Sequence, residues 1–334
     1  MTRTYHILFF FLLISFGYSV DKTGTMAAKF LSTNIGSRAV GMGGAFTALA
    51  NDGSSMYWNP AGISYHRIKN AYVNHSDWIA DISVDYFSVS FPIKEDHFLG
   101  INITSVTMGD IEVTRYGNED TGETFSAFDH AFGLTYSLNL TDRFSVGLNG
   151  KYIQEKIANN HANGIALDLG TLFKTPYGFR LGTSISNFGP KMRMMGDDLL
   201  VAVDIDETIY GNNESVTGFL ATDEFDLPLI LRVGISNDIA LGRFSKITWA
   251  IDANSPNDNA NYVNAGIELA LLNNILKIRG GLNSIFMEDR DRDLSLGIGI
   301  RSPTFIKQQF LFNYCFEALT YLGDTHQVSV EINY

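Results

Sequence analysis

From about Ala71 onward the chain alternates apolar and polar residues with period two, the pattern of strands whose two faces see different surroundings. In RFSVGLNGKY, Phe144, Val146, Leu148 and Tyr152 share one face, while Arg143, Ser145, Asn149 and Lys151 share the other. Ile165, Leu167 and Leu169 oppose Ala166, Asp168 and Gly170. Leu276 and Ile278 oppose Lys277 and Arg279, and Leu294 to Ile300 oppose Ser295, Gly297, Gly299 and Arg301 in the same way. One face is greasy throughout and the other is polar or glycine.

An antiparallel sandwich would alternate too, so the connections have to decide. The pattern predicts about fourteen strands, an even number within the range of closed membrane barrels. Tight links are expected at Pro92 to His97, Asn139 to Asp142, Lys174 to Gly178, Asn273-Asn274 and Ser302 to Phe305, with a looser one around Ser236 to Arg243. Longer polar links are expected between them, at Met108 to Thr124, Glu155 to His161, Gly189 to Asp226, Met287 to Asp293 and Leu319 to Thr325. Short turns at one end and long loops at the other mark an outer-membrane barrel with its short turns in the periplasm. The stripe Phe310, Phe312, Tyr314, Phe316 agrees, because in water it would be an aggregation hazard and in a bilayer it is the exposed wall. The last strand sets Val328, Val330, Ile332 and Tyr334 against Gln327, Ser329, Glu331 and Asn333. Its aromatic end resembles the terminal signal that barrel-assembly machinery reads. The fold class expected is all-β: a closed antiparallel transmembrane β-barrel.

The amino terminus departs from this pattern. Arg3, the apolar run Ile7 to Phe16 and the small exit Gly17-Tyr18-Ser19 read as a cleaved export signal over residues 1–19. The chain of 334 residues carries a formal net charge of -12, which opposes binding to a phosphate backbone and leaves nucleic acid out of the expected partners. One cysteine, Cys315, excludes a disulfide framework and a thiolate zinc site.

Between signal and strands lies SRAVGMGGAFTALANDGSSMYWNPAGIS, whose Gly41, Gly43 and Gly44 suggest at first a phosphate turn. A dinucleotide turn needs a small third residue, where this chain has Phe46, and no Gly-Lys-Ser/Thr follows. The remaining reading is a short helix or turn, faced by Val40, Phe46, Leu49 and Ala50, lying close against other backbone. Pro60 ends any helix in Trp58-Asn59-Pro60-Ala61-Gly62.

These residues resemble the amino-terminal region of the FadL-like outer-membrane superfamily, most closely its PorV/PorQ branch. GIALDLGTLFKTPYGFRLGTSISNFGP and LPLILRVGISN fit the same branch, so the resemblance runs over nearly the whole mature chain. It implies a hatch over residues 20–68 folded into a barrel over 69–334. Its site residues are then Gly36, Arg38, Gly41, Met42, Gly43, Gly44, Phe46, Asn59, Pro60 and Ala61, with Asn59-Pro60-Ala61 matching the hatch motif.

Little catalytic chemistry is visible. No Gly-x-Ser-x-Gly elbow occurs, the seven histidines lack metal-ligand spacing, and no catalytic residue, metal or cofactor is expected. Asp252 to Asp258 starts like a calcium loop but lacks its sixth-position glycine and has Val263 in place of the bidentate Glu. Polar residues expected to face the lumen are Arg143, Asp168, Arg180, Arg232, Glu268, Arg279, Arg301 and Glu331, read as a salt network holding the hatch in preference to an ion pathway. The longest loop offers Met192, Met194, Met195, Leu199 and Phe219 as adaptable contacts for a partner. Two functions fit the resemblance: a carrier that hands secreted cargo to type IX secretion attachment components, or a channel for hydrophobic small molecules. Outer-membrane lipid and the barrel-assembly machinery are expected partners in either case.

Overall fold

A computed structural model describes residues 24–65, 68–117, 121–204, 215–287, 290, 292–303, 308–321 and 323–334. The signal expected over residues 1–19, and parts of the links expected near 118–120, 205–214, 288–291, 304–307 and 322, lie outside these.

Fourteen strands form one closed antiparallel wall. They are β1 (Asn70–Asp77), β2 (Ser83–Lys94), β3 (His97–Thr107), β4 (Ala127–Thr141), β5 (Phe144–Ile157), β6 (Asn160–Lys174), β7 (Arg180–Phe188), β8 (Ile230–Leu241), β9 (Ser245–Pro256), β10 (Tyr262–Leu271), β11 (Leu276–Ile285), β12 (Arg292–Arg301), β13 (Gln309–Leu319) and β14 (Gly323–Asn333). Each pairs with its sequence neighbours, and β1 also pairs with β14 from Asn70↔Asn333 to Asp77↔His326, which closes the ring. The seam is locked at the chain end, where Lys69 and Tyr334 exchange backbone hydrogen bonds of 3.1 and 3.0 Å. Closure joins the first strand to the last, the condition for spanning lipid with strands.

The wall is inside out relative to a water-soluble sheet. Along β14, Thr325, Gln327, Ser329 and Glu331 are buried whereas Val328 is exposed, and Asn149, Asp168, Glu268 and Arg279 are buried while Leu148, Leu169, Ile267 and Ile278 face outward. Such a greasy exterior needs lipid around it. No described helix is long and apolar enough to cross a membrane.

The two ends of the barrel differ less regularly than the links predict. Two long connections, residues 108–126 and 189–229, lie at one end, here the loop end. At that same end, however, β5 and β6 join through Ala158-Asn159 alone, so the loop expected at Glu155 to His161 is a tight turn. Ala158 takes the left-handed conformation there (φ 50), for which no glycine gives notice. Pairing between β13 and β14 likewise continues to Leu319↔Gly323, where a longer loop is expected. At the opposite, turn end, the link expected to be loose is the tight Gly242-Arg243-Phe244, with Gly242 at φ 72.

Candidate functional site

The N-terminal segment threads the lumen from the loop end to the turn end. At the loop end, Ala27 N donates to the Asp226 carbonyl (3.0 Å), Ala28 N donates to Glu155 Oε1 (2.9 Å), and Lys29 pairs with Asp258. Two short helices follow, α1 (Ser37–Gly41) and α2 (Ser55–Trp58), and then a 3-10 stretch, Pro60–Tyr65, that leads to β1. Helix α1 cannot continue through Ala45 because Gly43 and Gly44 sit at φ 67 and 71. Ala39, Met42, Phe46, Met56 and Asn59 have no measurable exposure, so the segment fills the lumen it crosses.

Close packing is made possible by glycine on both partners. A Cβ on Gly43 would lie 2.7 Å from Leu282 N, and one on Gly281 would lie 2.0 Å from Gly43 N. Wall glycines Gly266, Gly182 and Gly147 would similarly strike the backbone of Met42, Thr47 and Pro60. Backbone rests on backbone along this path, which only residues without a Cβ permit.

Polar side chains fix the orientation. Glu268 accepts from Arg38 Nε (2.9 Å) and Nη2 (3.2 Å) and from Arg279 Nε (2.7 Å). Arg38 also donates to Asn51 Oδ1 (2.6 Å) and lies 3.6 Å from Asp52. Burial alone would lower the Arg38 pKa, but the Glu268 and Asp52 carboxylates outweigh it and raise the guanidinium above its ordinary range. Asp252 Oδ2 accepts from the backbone N–H groups of Phe46 (2.8 Å) and Thr47 (2.7 Å). Asn59 donates to the carbonyls of Thr47 and Thr171, both at 3.0 Å, while its Oδ1 accepts from Ala61 N (3.1 Å). The motif Asn59-Pro60-Ala61 therefore staples two parts of the segment to the wall.

The expected lumen residues divide. Glu268, Arg279 and Asp168 are buried and bonded, but Asp168 pairs with Lys151 (2.8 Å) and accepts from Asn149 and Asn187 N, not from an arginine. Arg232 stacks on Tyr57 and Trp58, its Cζ 5.8 and 5.4 Å from the ring centroids, and donates to Ser186 Oγ. Arg180 pairs with Asp238 at the turn end, Arg301 donates to the Asn273 carbonyl, and Glu331 accepts from Asn70. Arg143 does not face the lumen: it lies outside the strands, exposed in the turn between β4 and β5. Sequence reasoning missed Asp252, Asp52 and Lys151 as anchors. Inward parity on β5 and β9 identifies Lys151 and Asp252.

The loop end presents a different surface. Met192 is buried with Leu227 and Phe30 beneath the loops and Met194 packs against them, so Met192 is not an accessible contact. Leu199 is half-buried, whereas Met195 and Phe219 are exposed, the latter at the end of a small ladder pairing Leu200–Val203 with Val216–Phe219. Leu220, Tyr116, Phe286 and Tyr321 are exposed at the same end, beside the exposed carboxylates Asp197, Asp198, Asp223 and Glu224. Among the described residues no group of three His, Cys, Asp or Glu is placed to hold a metal ion. A polar cavity of about 200 Å³ opens at the turn end beside Arg38 and Lys277, and an apolar cleft of about 820 Å³ lies on the outer wall beside Gly150.

Comparison with known proteins follows this geometry. The family described as "Type IX secretion system protein PorV" matches residues 19–199. Among solved structures, the Ralstonia pickettii toluene transporter TbuX is similar at TM-score 0.54 and 12% identity, covering 90% of this chain and 97% of its own. The Pseudomonas putida toluene transporter TodX is similar at TM-score 0.55 and 10% identity, with coverage of 94% and 98%. A Pseudomonas aeruginosa FadL homologue is similar at TM-score 0.50 and 13% identity, with coverage of 95% and 99%. No curated protein matches the chain. These structural likenesses establish the fold, a FadL-like barrel, and the relatives are transport or secretion barrels.

Proposed function

The chain belongs to the family of the type IX secretion system protein PorV, and from that premise we propose that it is a non-enzymatic docking barrel of the outer membrane. It receives secreted cargo on its loop end and presents it to the attachment machinery. Residues 20–68 act as a fixed hatch inside the barrel of residues 69–334, and residues 1–19 direct export. The turn end faces the periplasm and the loop end the exterior, in keeping with where long loops lie in such barrels.

The observation that carries this reading is the close packing of the segment against the wall across the lumen. Hatch backbone lies against wall backbone, and Arg38, Asp252 and Asn59 are each held by several partners. A solute crossing there would have to displace them. The loop end, by contrast, leaves Met195, Phe219 and Leu220 uncovered among carboxylates, a surface suited to an adaptable protein contact.

A second reading, uptake of a hydrophobic small molecule, is supported by the likeness in fold to the toluene transporters. Native mass spectrometry after gentle extraction from the cell's own outer membrane separates the two. A protein-sized added mass traceable to a secreted polypeptide or attachment component is expected. An added mass of a few hundred daltons, with no protein bound, would overturn the docking reading in favour of uptake.

A further inference from the structure

The outer wall over β4, β5 and β6 is graded along its height. Outward positions run in register across the three strands: Phe128↔Lys156↔His161 nearest the loop end, then His130↔Gln154↔Asn163, then Phe132↔Tyr152↔Ile165, then Leu134↔Gly150↔Leu167. The ammonium of Lys156 gives way to an imidazole and amides, then to two aromatic rings, then to hydrocarbon. At the lowest of these rows Gly150 has no side chain, and a Cβ built there would meet nothing within 4 Å.

That vacancy deepens into the cleft of about 820 Å³, walled by Leu134, Tyr152, Ile165, Leu167 and Phe188. The cleft lies where β7 stops at Phe188 while β6 continues to Asn160, its far end paired by Met195–Gly196, and where the β6–β7 pairing is irregular between Leu167 and Leu169. Its size falls within the range of pockets that hold small molecules, roughly 300–1,000 Å³.

The Lys156 ammonium in the top row is not offset by acids on the same face. Asp129 and Glu155 occupy the alternate positions of β4 and β5, and Glu155 is engaged by Ala28 N. Asp198, which reaches the β5–β6 turn, is bonded to Asn159 and Asn160. Lys156 Nζ lies 5.7 Å from the Phe128 ring centroid, and His130 stacks on the same ring at 4.6 Å, so the basic groups are gathered around one aromatic. On the β1–β2 side the outward rim is the reverse, with Asp77 and Asp85 flanking His75. One unpaired ammonium beside imidazole N–H donors, on a chain of net charge -12, favours an anion locally.

The spacing matches the membrane. Six residues separate Lys156 from Gly150, about 20 Å along a strand at ~3.3 Å per residue. With a barrel strand tilted by about 40°, this becomes about 15 Å of depth, close to one leaflet of hydrocarbon.

We propose that this wall is a binding site for one anionic membrane lipid, its phosphate held at Lys156 and His161 and an acyl chain lying in the cleft over Gly150. The lipid is retained as a ligand, distinct from the exchanging shell around the rest of the barrel.

The test uses the full mature protein, delipidated in detergent and then given dioleoylphosphatidylglycerol or dioleoylphosphatidylcholine, with retained lipids counted by native mass spectrometry. The wild type should keep one phosphatidylglycerol about fivefold better than phosphatidylcholine, the margin of a charge-assisted contact. Gly150→Leu, which fills the cleft, should lose retention of both lipids. Lys156→Gln combined with His161→Gln, both exposed, should retain the chain but lose the preference. Equal retention of the two lipids by the wild type overturns the proposal, and needs no variant to be read. So does retention by a folded Gly150→Leu barrel equal to wild type. Hexadecane held as well as phosphatidylglycerol would make the cleft a site for apolar solutes and refute the lipid assignment.

Discussion

The lumen and the loop end use the same kinds of residue to opposite effect. Phe46 and Met42 have no exposure, while Phe219 is 68% exposed and Met195 56%. Asp252 Oδ2 accepts from two hatch N–H groups, whereas Asp223 and Glu224 stand exposed beside the small loop ladder. Side chains in the lumen are enclosed against the hatch, and several of them hold it; at the loop end they are left accessible. A channel would need the reverse, a hatch with spare freedom and loops that close over a pocket. The contrast favours docking over passage.

The strongest way to break the contrast is to wedge the hatch from its wall. Gly43→Val adds a branched side chain at φ 67 against Leu282 backbone that cannot withdraw. We expect a loss on the order of 5 kcal/mol, overpacking and left-handed strain together. Urea unfolding in detergent, followed by the heat-dependent gel shift, should show no stable barrel. Near wild-type behaviour would mean that the segment packs elsewhere. Next comes Glu268→Ala, which strands Arg38 and Arg279 in the lumen without their shared carboxylate. Breaking a buried pair of this kind costs about 4 kcal/mol. Protease cleavage within residues 36–64 should accompany the lower unfolding midpoint.

These lumen predictions rest on positions the sequence exposes only in part. Period two was enough to place β12, β13 and β14 and to orient Glu268, Arg279 and Asp168 inward, because lipid outside and polar groups inside impose the alternation residue by residue. Asn59-Pro60-Ala61 was legible through resemblance to a known hatch. Partners were not legible: that Asp168 meets Lys151, and Glu268 meets Arg38, depends on strand register and on a path through the lumen that no local pattern encodes. Arg143 shows the limit of alternation, since parity continues on paper through a turn where the backbone has already left the sheet. The tight turn at Ala158-Asn159 shows the same for links, where polar composition suggests a loop and pairing shortens it.

At the loop end the expected effects are smaller in stability and larger in binding. Phe219→Ser with Leu220→Ser should leave the unfolding midpoint within about 0.5 kcal/mol. Capture of the secreted partner should fall roughly tenfold, as for loss of an aromatic contact. Unchanged capture would remove this ladder from the docking surface. The smallest effect belongs to Lys29→Ala, where a side chain 61% exposed pairs with Asp258 at the point of entry to the lumen. Less than about 1 kcal/mol is expected, and the effect should fade further in high salt. A larger loss would make the loop end part of the lumen's rigid unit and blur the contrast.

The central claim, that the hatch stays in place while the loops work, is tested most directly by tethering it. Ser37 Oγ and Asn74 Oδ1 are already 3.2 Å apart, and the single native cysteine, Cys315, is buried. Ser37→Cys with Asn74→Cys should allow the hatch to be locked to β1 by oxidation in cells relying on this variant, with surface delivery of a secreted protein measured before and after reduction. The account predicts equal delivery in the locked and reduced states. Delivery lost on locking and restored on reduction would contradict it, and would make hatch movement part of the function.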